Sequence, residues 1–600
     1  MENKKTKIIS IASIIALALT LVTATYAYFA AQTGEGKSTD IKINANTVDT
    51  FTFEAGSALN LSLNQENFAS GKGNQTGTTF AKAMLTANNK TNTATEHYYL
   101  YLNISNNTFT YSIDNNTPEI LLSIKDGSNN EITTLTGLTY KTVTDGKGAS
   151  IKGFDITTKS GLITILNNRE ITTTSTKTEQ WNITVTFVNY NSNQAENAGK
   201  KFSAKLMIQK EKIPTVLSDV CTSGNNLATC ITTLSNKSEP SIVNIYHHTS
   251  SLTNGAGDNS YRYAGGDYVL TEAGKANGAT MMIGYDETVT TALIDFYCNG
   301  TKQYVGYECS SSQTHYYLIK GDTTQYQTYN EALNTSVEKG YLTKDNVKNF
   351  VCFGSDASPC PTENLYRIIG VFNNQVKLVK WDYAKSSLLG TDGDFSQEYT
   401  DYYFSGEQGE SPSSNSLYKW NKTGTNTWSE SNLNKVNLNT NFVNNIGTIW
   451  ANKIATTTWK VGGNTWDNII GVVPATAYQY EVGSSASSTT VDKKIGLMYV
   501  TDYYYSASPS AWTLVGYNKS DATKDYRFSK GENWLYGGGW DWTISRSSDT
   551  SNIAFFVSHI GIASSGYVNL RSGARPSFSL LSSTTYVSGT GSQSDPIRIN

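Results

Sequence analysis

Side chains able to carry out covalent chemistry are scarce: 600 residues hold 5 histidines and 6 cysteines. Hydrolysis or group transfer needs a nucleophile beside a base, or two carboxylates facing one another. His247 and His248 are adjacent, so on a strand they point to opposite faces. His97, His315 and His559 lie among aromatic residues in strand-like stretches. None sits in a G-x-S-x-G, H-E-x-x-H or Cys/His signature. Each reads as a surface or packed side chain, and no residue is assigned as catalytic. Carboxylate pairs are recognised by their separation in space, so a glycan hydrolase stays open as an alternative.

The cysteines fall into neighbouring pairs, Cys221 with Cys230, Cys298 with Cys309, and Cys352 with Cys360. In an exported chain the simplest reading is local disulfides, each closing a loop of about ten residues and adding roughly 2–3 kcal/mol. None has the short Cys–Cys spacing of zinc ligands. Asp392, Asp394 and Glu398 are oxygen donors that could gather around Ca²⁺, but without the spacing of a known calcium loop they read as a solvated acidic loop. No metal and no cofactor is expected.

Aromatic contact surface remains. Trp534, Trp540, Trp542, Tyr503, Tyr504, Tyr505 and Trp512 gather in sequence near Gly537-Gly538-Gly539, a run that reads as a mobile, backbone-exposing loop. Tyr and Trp offer large amphipathic faces for sugars or protein partners. Trp540 and Gly539 are the leading ligand candidates, with Trp534, Tyr504, Arg546 and Asp549 completing the expected set. Trp542 alternates with polar residues and reads as core, and Arg575 before Pro576 as a structural hydrogen-bond donor.

The elements that would position these residues are mostly strands. Aromatic residues reach 12% and charged residues only 16%, so solubility rests on Asn, Ser, Thr and Gly. A net charge of -3 without basic blocks argues against a nucleic-acid partner. Met1 to Lys7 is basic, and Ile8 to Ala24 is apolar apart from Ser and Thr. This is the layout of a secretory signal with a cleavage position at Ala27, or of a short N-terminal anchor, the one membrane contact foreseen. Residues 28–212 repeat period-two patterns such as Tyr98 to Ile104 and Trp181 to Phe187, which predicts a β-sandwich or jelly roll. Gln209 to Val216 reads as a linker. Beyond it come a short helix at Asn226 to Asn236, a hairpin turning at Asn373-Asn374, and an amphipathic helix on Leu438, Phe442, Ile446, Trp450 and Ile454.

Two resemblances follow from motifs. Ser260-Tyr261-Arg262-Tyr263-Ala264-Gly265, Asn349-Phe350-Val351-Cys352-Phe353-Gly354, Asn364-Leu365-Tyr366-Arg367-Ile368-Ile369-Gly370-Val371-Phe372, Trp542-Thr543-Ile544-Ser545 and Gly573-Ala574-Arg575-Pro576 resemble the core segments of bacterial C-type-lectin-like, FISUMP-related domains of gut Gram-positive surface proteins. In those domains the first segment runs almost directly into the second, so residues 267–346 read as an insertion within a lectin-like α+β domain spanning 213–600. The resemblance implies ligand binding outside the cell. Formylglycine-generating enzymes share that fold, but their chemistry uses cysteines and this sequence has none after Cys360. The E-P-N, Q-P-D and W-N-D motifs of calcium-dependent lectins are absent, Trp466-Asp467-Asn468 being a permuted near-match. Ala24-Thr25-Tyr26-Ala27-Tyr28-Phe29 before a strand-rich region is similar to camelysin/TasA-like exported jelly rolls, which implies possible self-association. Tyr268-Val269-Leu270-Thr271-Glu272 resembles the pilin Y-x-L-x-E box and reads as a plain strand end.

Together these predict a mainly β, secreted or cell-surface protein that binds a glycan or a surface protein without catalysis. A matrix-fibre subunit and a glycan hydrolase are the alternatives.

Overall fold

The computed structural model describes residues 49–63, 71–88, 92–114, 116–284, 291–303, 309, 312–344, 347–402 and 413–600. The expected signal or anchor, residues 1–27, lies outside them. Among the described residues no helix is long and apolar enough to cross a membrane. The chain divides into two compact units, Met1–Ile213 and Pro214–Asn600. The break falls just after the last strand of the first unit, where Pro214 removes a backbone donor.

The described residues of the first unit form ten strands: β1 (Thr50–Ala55), β2 (Leu59–Ser62), β3 (Gln75–Thr86), β4 (Ala94–Asn107), β5 (Ile120–Asp126), β6 (Tyr140–Thr144), β7 (Ser150–Asp155), β8 (Gly161–Thr173), β9 (Thr176–Phe187) and β10 (Lys201–Gln209). One sheet runs β1-β3-β9-β5-β7-β6 and the other β2-β10-β4-β8, every pairing antiparallel. Alternation makes the core. Leu100, Leu102 and Ile104 of β4 meet Ile183 and Val185 of β9 in one hydrophobic cluster, an arrangement consistent with a β-sandwich.

The second unit centres on the hairpin of Leu365–Phe372 and Gln375–Lys380. Asn373 and Asn374 both take positive φ, 49° and 63°, the conformation a two-residue hairpin loop requires and Asn tolerates. Tyr261–Tyr263 and Phe350–Cys352 pair with the first strand of this hairpin, and Ser577–Ser579 with the second. A separate three-stranded sheet holds Asp541–Arg546, Ile553–Val557 and Ala563–Tyr567. The helix Leu227–Lys237 is capped by Asn226, whose side chain accepts from the Thr229 N–H, and buries Leu227, Ile231 and Leu234. Its Cys230 is bonded to Cys221, and Cys298–Cys309 and Cys352–Cys360 are also disulfides, with Cα separations of 5.6, 5.8 and 5.9 Å.

Residues 267–346 carry their own small core. Tyr268–Leu270 and Leu342–Lys344 zip together at its base, so chain entry and exit are adjacent. Above them Ala292–Cys298 pairs with Met281–Ile283, Thr301–Gln303 and His315–Ile319, and Leu333 of helix Tyr329–Glu338 covers Leu293, Ile294 and Phe296. The Y-x-L-x-E stretch is a strand end followed by a helix cap, where Thr271 Oγ1 accepts from the Gly274 N–H.

One expected element changes form. Leu438, Phe442, Ile446, Trp450 and Ile454 are all buried, as an amphipathic face should be. They do not sit on one α-helix. Leu433–Phe442 winds with wide i→i+5 turns, a single α turn follows at Val443–Asn445, and Gly447 at φ 81° breaks the chain before Thr448–Ala451. Asn side chains interrupt the ladder: Asn437 Nδ2 donates to the Leu389 carbonyl and Asn439 Nδ2 to those of Asn434 and Ile495.

The first unit has a closed core of its own, so residues 28–213 expressed alone should unfold in one cooperative urea transition. A non-cooperative melt followed by circular dichroism would contradict that independence.

Candidate functional site

The stretch around Trp540 is positioned by a buried ion pair. Arg575 and Asp541 are 2% and 1% exposed. Arg575 Nε donates to Asp541 Oδ2 at 2.5 Å, Nη2 reaches the same oxygen, and Nη2 also donates to the Leu535 carbonyl at 2.7 Å. The guanidinium lies against the Tyr383 ring. Burial pushes the Asp541 carboxyl up to about 6 against the pull of Arg575, so it is ionised at neutral pH. Tyr383 fixes the glycine run from the other side: a Cβ on Gly537 would lie 2.7 Å from its Oη, which accepts the Gly539 N–H at 3.2 Å. The loop expected to be mobile and open is therefore buried, and Gly539 spends its N–H on the protein rather than on a ligand.

Trp540 follows this clamp and is 39% exposed. Its ring rests on Phe556 and His559, with centroids 4.9 and 5.2 Å away. Phe556 continues the surface. A Cβ on Gly566 would lie 2.9 Å from the Phe556 ring and 3.3 Å from Leu570, so only glycine lets these side chains close over the strand. Leu570 is 51% exposed, whereas exposed Tyr567 opposes Ile553 and lies on the other face of the sheet from Phe556. The result is a shallow aromatic and apolar shelf on a rigid three-stranded sheet. His559 supports it as a neutral ring: burial, with Lys530 nearby, holds its imidazole down at about 4. Tyr536 Oη donates to the His559 carbonyl.

The remaining sequence candidates are placed elsewhere. Trp534 is core, with Nε1 donating to the Tyr263 carbonyl at 3.0 Å and the ring under the Arg367 guanidinium. Tyr504 is core as well, its Oη bonded to the Ile469 carbonyl at 3.0 Å. Tyr503, Tyr505 and Trp512 are equally enclosed. Arg546 holds loops together through the Val461 carbonyl and Asn426. Asp549 is exposed in the turn after that strand, its N–H donating to Ser547 Oγ. Of the six expected ligand residues only Trp540 joins the shelf. Trp542 is 1% exposed with Nε1 on the Tyr418 carbonyl. Phe556, His559 and Leu570 were missed. Ile553–Val557 is apolar at every position, so no alternation shows that Phe556 shares the Trp542 face, and nothing local announces the exposed Leu570.

The chemistry sought among polar residues is also placed. Asp394 is fully buried and spends both carboxylate oxygens on the Lys422 and Leu433 N–H groups. Asp392 accepts from Asn441 and Glu398 from Ser416, so the three do not converge. Among the described residues no group of His, Cys, Asp or Glu is placed to hold a metal ion. His248 is buried, its Nδ1 accepting the Ala256 N–H at 3.0 Å, while His247 stacks on Tyr261. A cavity between Lys460, Glu481 and Ser545 has a volume of ≈ 10 Å³, and another beside Lys530 has ≈ 40 Å³. Both are far below the ~300–1,000 Å³ of ordinary ligand pockets.

Trp542→Ala should cost about 3–5 kcal/mol in urea unfolding of the second unit, as a buried truncation. Trp540→Ala should cost roughly 1 kcal/mol or less. His559 should titrate near 4 by NMR. Below its ordinary value near 6.5 the unfolded chain takes up a proton that the fold refuses. Wild type should therefore lose stability relative to His559→Gln as pH falls from about 6.5 towards 4, by about 3 kcal/mol, and match it in that respect above 7. A His559 resonance titrating near 6.5 would refute the buried neutral ring. No protein-family model matches the chain, and no curated protein matches it.

Proposed function

We propose that this chain is an exported surface protein whose C-terminal unit binds a glycan or another surface protein without catalysis. The observation that carries this reading is the Trp540 shelf: a large indole face left outside a core that encloses its neighbours Trp534 and Trp542. An exposed Trp on a rigid support binds with little loss of side-chain entropy, and a flat aromatic face suits a sugar ring or an apolar protein anchor. The three disulfides fit an oxidising compartment. The lectin-like assignment of the second unit and the jelly-roll assignment of the first belong to this reading. They rest on the sequence motifs, with the mostly antiparallel sheets as support. The shallow shelf and small cavities favour binding over hydrolysis of a glycan.

A matrix-fibre role is the second reading. It is favoured by open strand edges in the first unit, where β1 and β6 flank one sheet and β2 and β8 the other. Among the described residues the thirteen-residue β8 has one long edge without a paired strand, of the kind that recruits further strands.

Glycan and extracellular-matrix arrays probed with the whole protein test the first reading. Trp540→Ala should weaken capture by about 1–2 kcal/mol, roughly tenfold, with the melt nearly unchanged. Capture that survives Trp540→Ala and Leu570→Ala together would reject the shelf as the site. Turnover of a captured glycan, abolished by one carboxylate substitution, would replace binding with hydrolysis.

A further inference from the structure

Residues 582–600 close the second unit as a strap held from two sides. On one side, the loop between Cys221 and Cys230 binds its start. The Gly224 N–H donates to the Tyr586 carbonyl, the Tyr586 N–H to the Asn225 carbonyl and the Leu227 N–H to the Thr584 carbonyl, at 2.9, 2.8 and 3.0 Å. On the other side, the strand Phe350–Cys352 binds its end. The Cys352 N–H donates to the Ile597 carbonyl and the Ile597 N–H to the Phe350 carbonyl, at 3.0 and 2.8 Å. Tyr586, Ile597 and Ile599 seat in the main hydrophobic core of the unit.

Arg598 adds a grip on the neighbouring disulfide loop. Its Nη1 donates to the Ser355 carbonyl at 3.3 Å and its Nη2 to the Ala357 carbonyl at 2.7 Å. Both acceptors lie on the loop that the Cys352–Cys360 bond closes. Residues 356–359 of that loop are exposed, so the bond is what limits their conformations and keeps the two carbonyls aimed at one guanidinium. The two disulfides beside the strap differ in access. Cys221 and Cys230 are both buried, and so is Cys352, but Cys360 is partly exposed at the end of the exposed loop. Thiol–disulfide exchange requires that an attacking thiolate reach a sulfur, and Cys360 is the cysteine of these four that meets solvent.

We propose that the Cys352–Cys360 disulfide is a thiol-sensitive latch on this strap, opened by a dithiol reductant. A thiolate of the reductant attacks Cys360 Sγ, and the S–S bond breaks with Cys352 leaving as a thiolate. The second thiol of the reductant resolves the mixed disulfide. The dithiol is thereby oxidised to a disulfide, and Cys352 and Cys360 are reduced and take up its two protons. The loop then gains freedom, Arg598 loses its fixed acceptors, and the strap separates from Phe350–Cys352. The hairpin Leu365–Phe372 and Gln375–Lys380 keeps its own strand neighbours on both sides and stays folded. This assignment does not depend on the Trp540 shelf.

Hydrogen exchange of the whole protein, followed by mass spectrometry during treatment with dithiothreitol, tests it, with peptide mapping to show which bonds have opened. Cys352–Cys360 should open before Cys221–Cys230. At that stage peptides covering 586–600 should exchange at least about tenfold faster, with those of 365–380 unchanged. Cys352→Ser combined with Cys360→Ser should give the same pattern without reductant. Arg598→Gln leaves the bond in place and should also speed exchange of 586–600. It decides the matter if the double variant fails to fold. Unchanged exchange of 586–600 once the bond is open, simultaneous loss of protection at 365–380, earlier opening of Cys221–Cys230, or no effect of Arg598→Gln would each overturn the proposal.

Discussion

Burying the Arg575 guanidinium obliges two separate chain segments, 535–541 and the one holding Tyr383, to converge on it. A carboxylate must come from Asp541 and a carbonyl from Leu535, while the Tyr383 ring covers the side. An unpaired charge in this position would cost several kcal/mol, and removing one partner of such a pair typically costs ~3–5 kcal/mol. The pair therefore acts less as a source of net stability than as a constraint on where the 535–541 stretch can go. Trp540 immediately precedes the anchored Asp541, and its carbonyl is bound by the Gly573 N–H at 2.9 Å. A shelf built there inherits the rigidity of the core beneath it.

The same device recurs, and it explains why so few charges suffice. Arg262 lies between Phe372, Tyr478 and Tyr505, with Asp258 neutralising it. Arg367 lies against the Phe350 and Trp534 rings, held bidentately by Asp267. Lys377 meets Asp502 at 2.5 Å beside Tyr499. Aromatic faces lower the cost of each buried cation by a cation–π contribution. Much of the aromatic content is thus spent inside the fold, around charge, rather than on contact surface. Arg367 also ties Asp267, the first residue of the 267–346 segment, to the central hairpin, so that segment is rooted at its entry point.

This internal use of aromatics sets what was legible in the sequence. Local geometry was readable: Asn373-Asn374 between two apolar runs specifies a hairpin, and neighbouring cysteines in strand-turn contexts specify local bridges. Trp542 was readable as core because a polar residue stands on each side of it. Trp534 and Tyr504 were not, since their surroundings, Glu532-Asn533-Trp534 and Tyr503-Tyr504-Tyr505, carry no alternation that separates a face in contact with Arg367 from one in contact with solvent. The helix on Leu438 to Ile454 was readable as a buried face and not as a shape. Its Asn side chains compete for backbone hydrogen bonds, and no four-residue spacing reveals that.

Trp540 and Trp542 both touch Phe556, at 4.9 and 5.8 Å, so both rings lie on one face of the same sheet. Their fates differ because of what crosses above them. The strand containing Tyr418 covers Trp542 and accepts its indole N–H, while Trp540 lies beyond that strand, over His559. Depressed to about 4, His559 offers Trp540 a neutral ring at physiological pH, so the stack contributes dispersion and shape rather than a cation–π attraction. The face left outside the core is therefore one aromatic ring with apolar Leu570 beside Phe556 and no charged group in the stack itself.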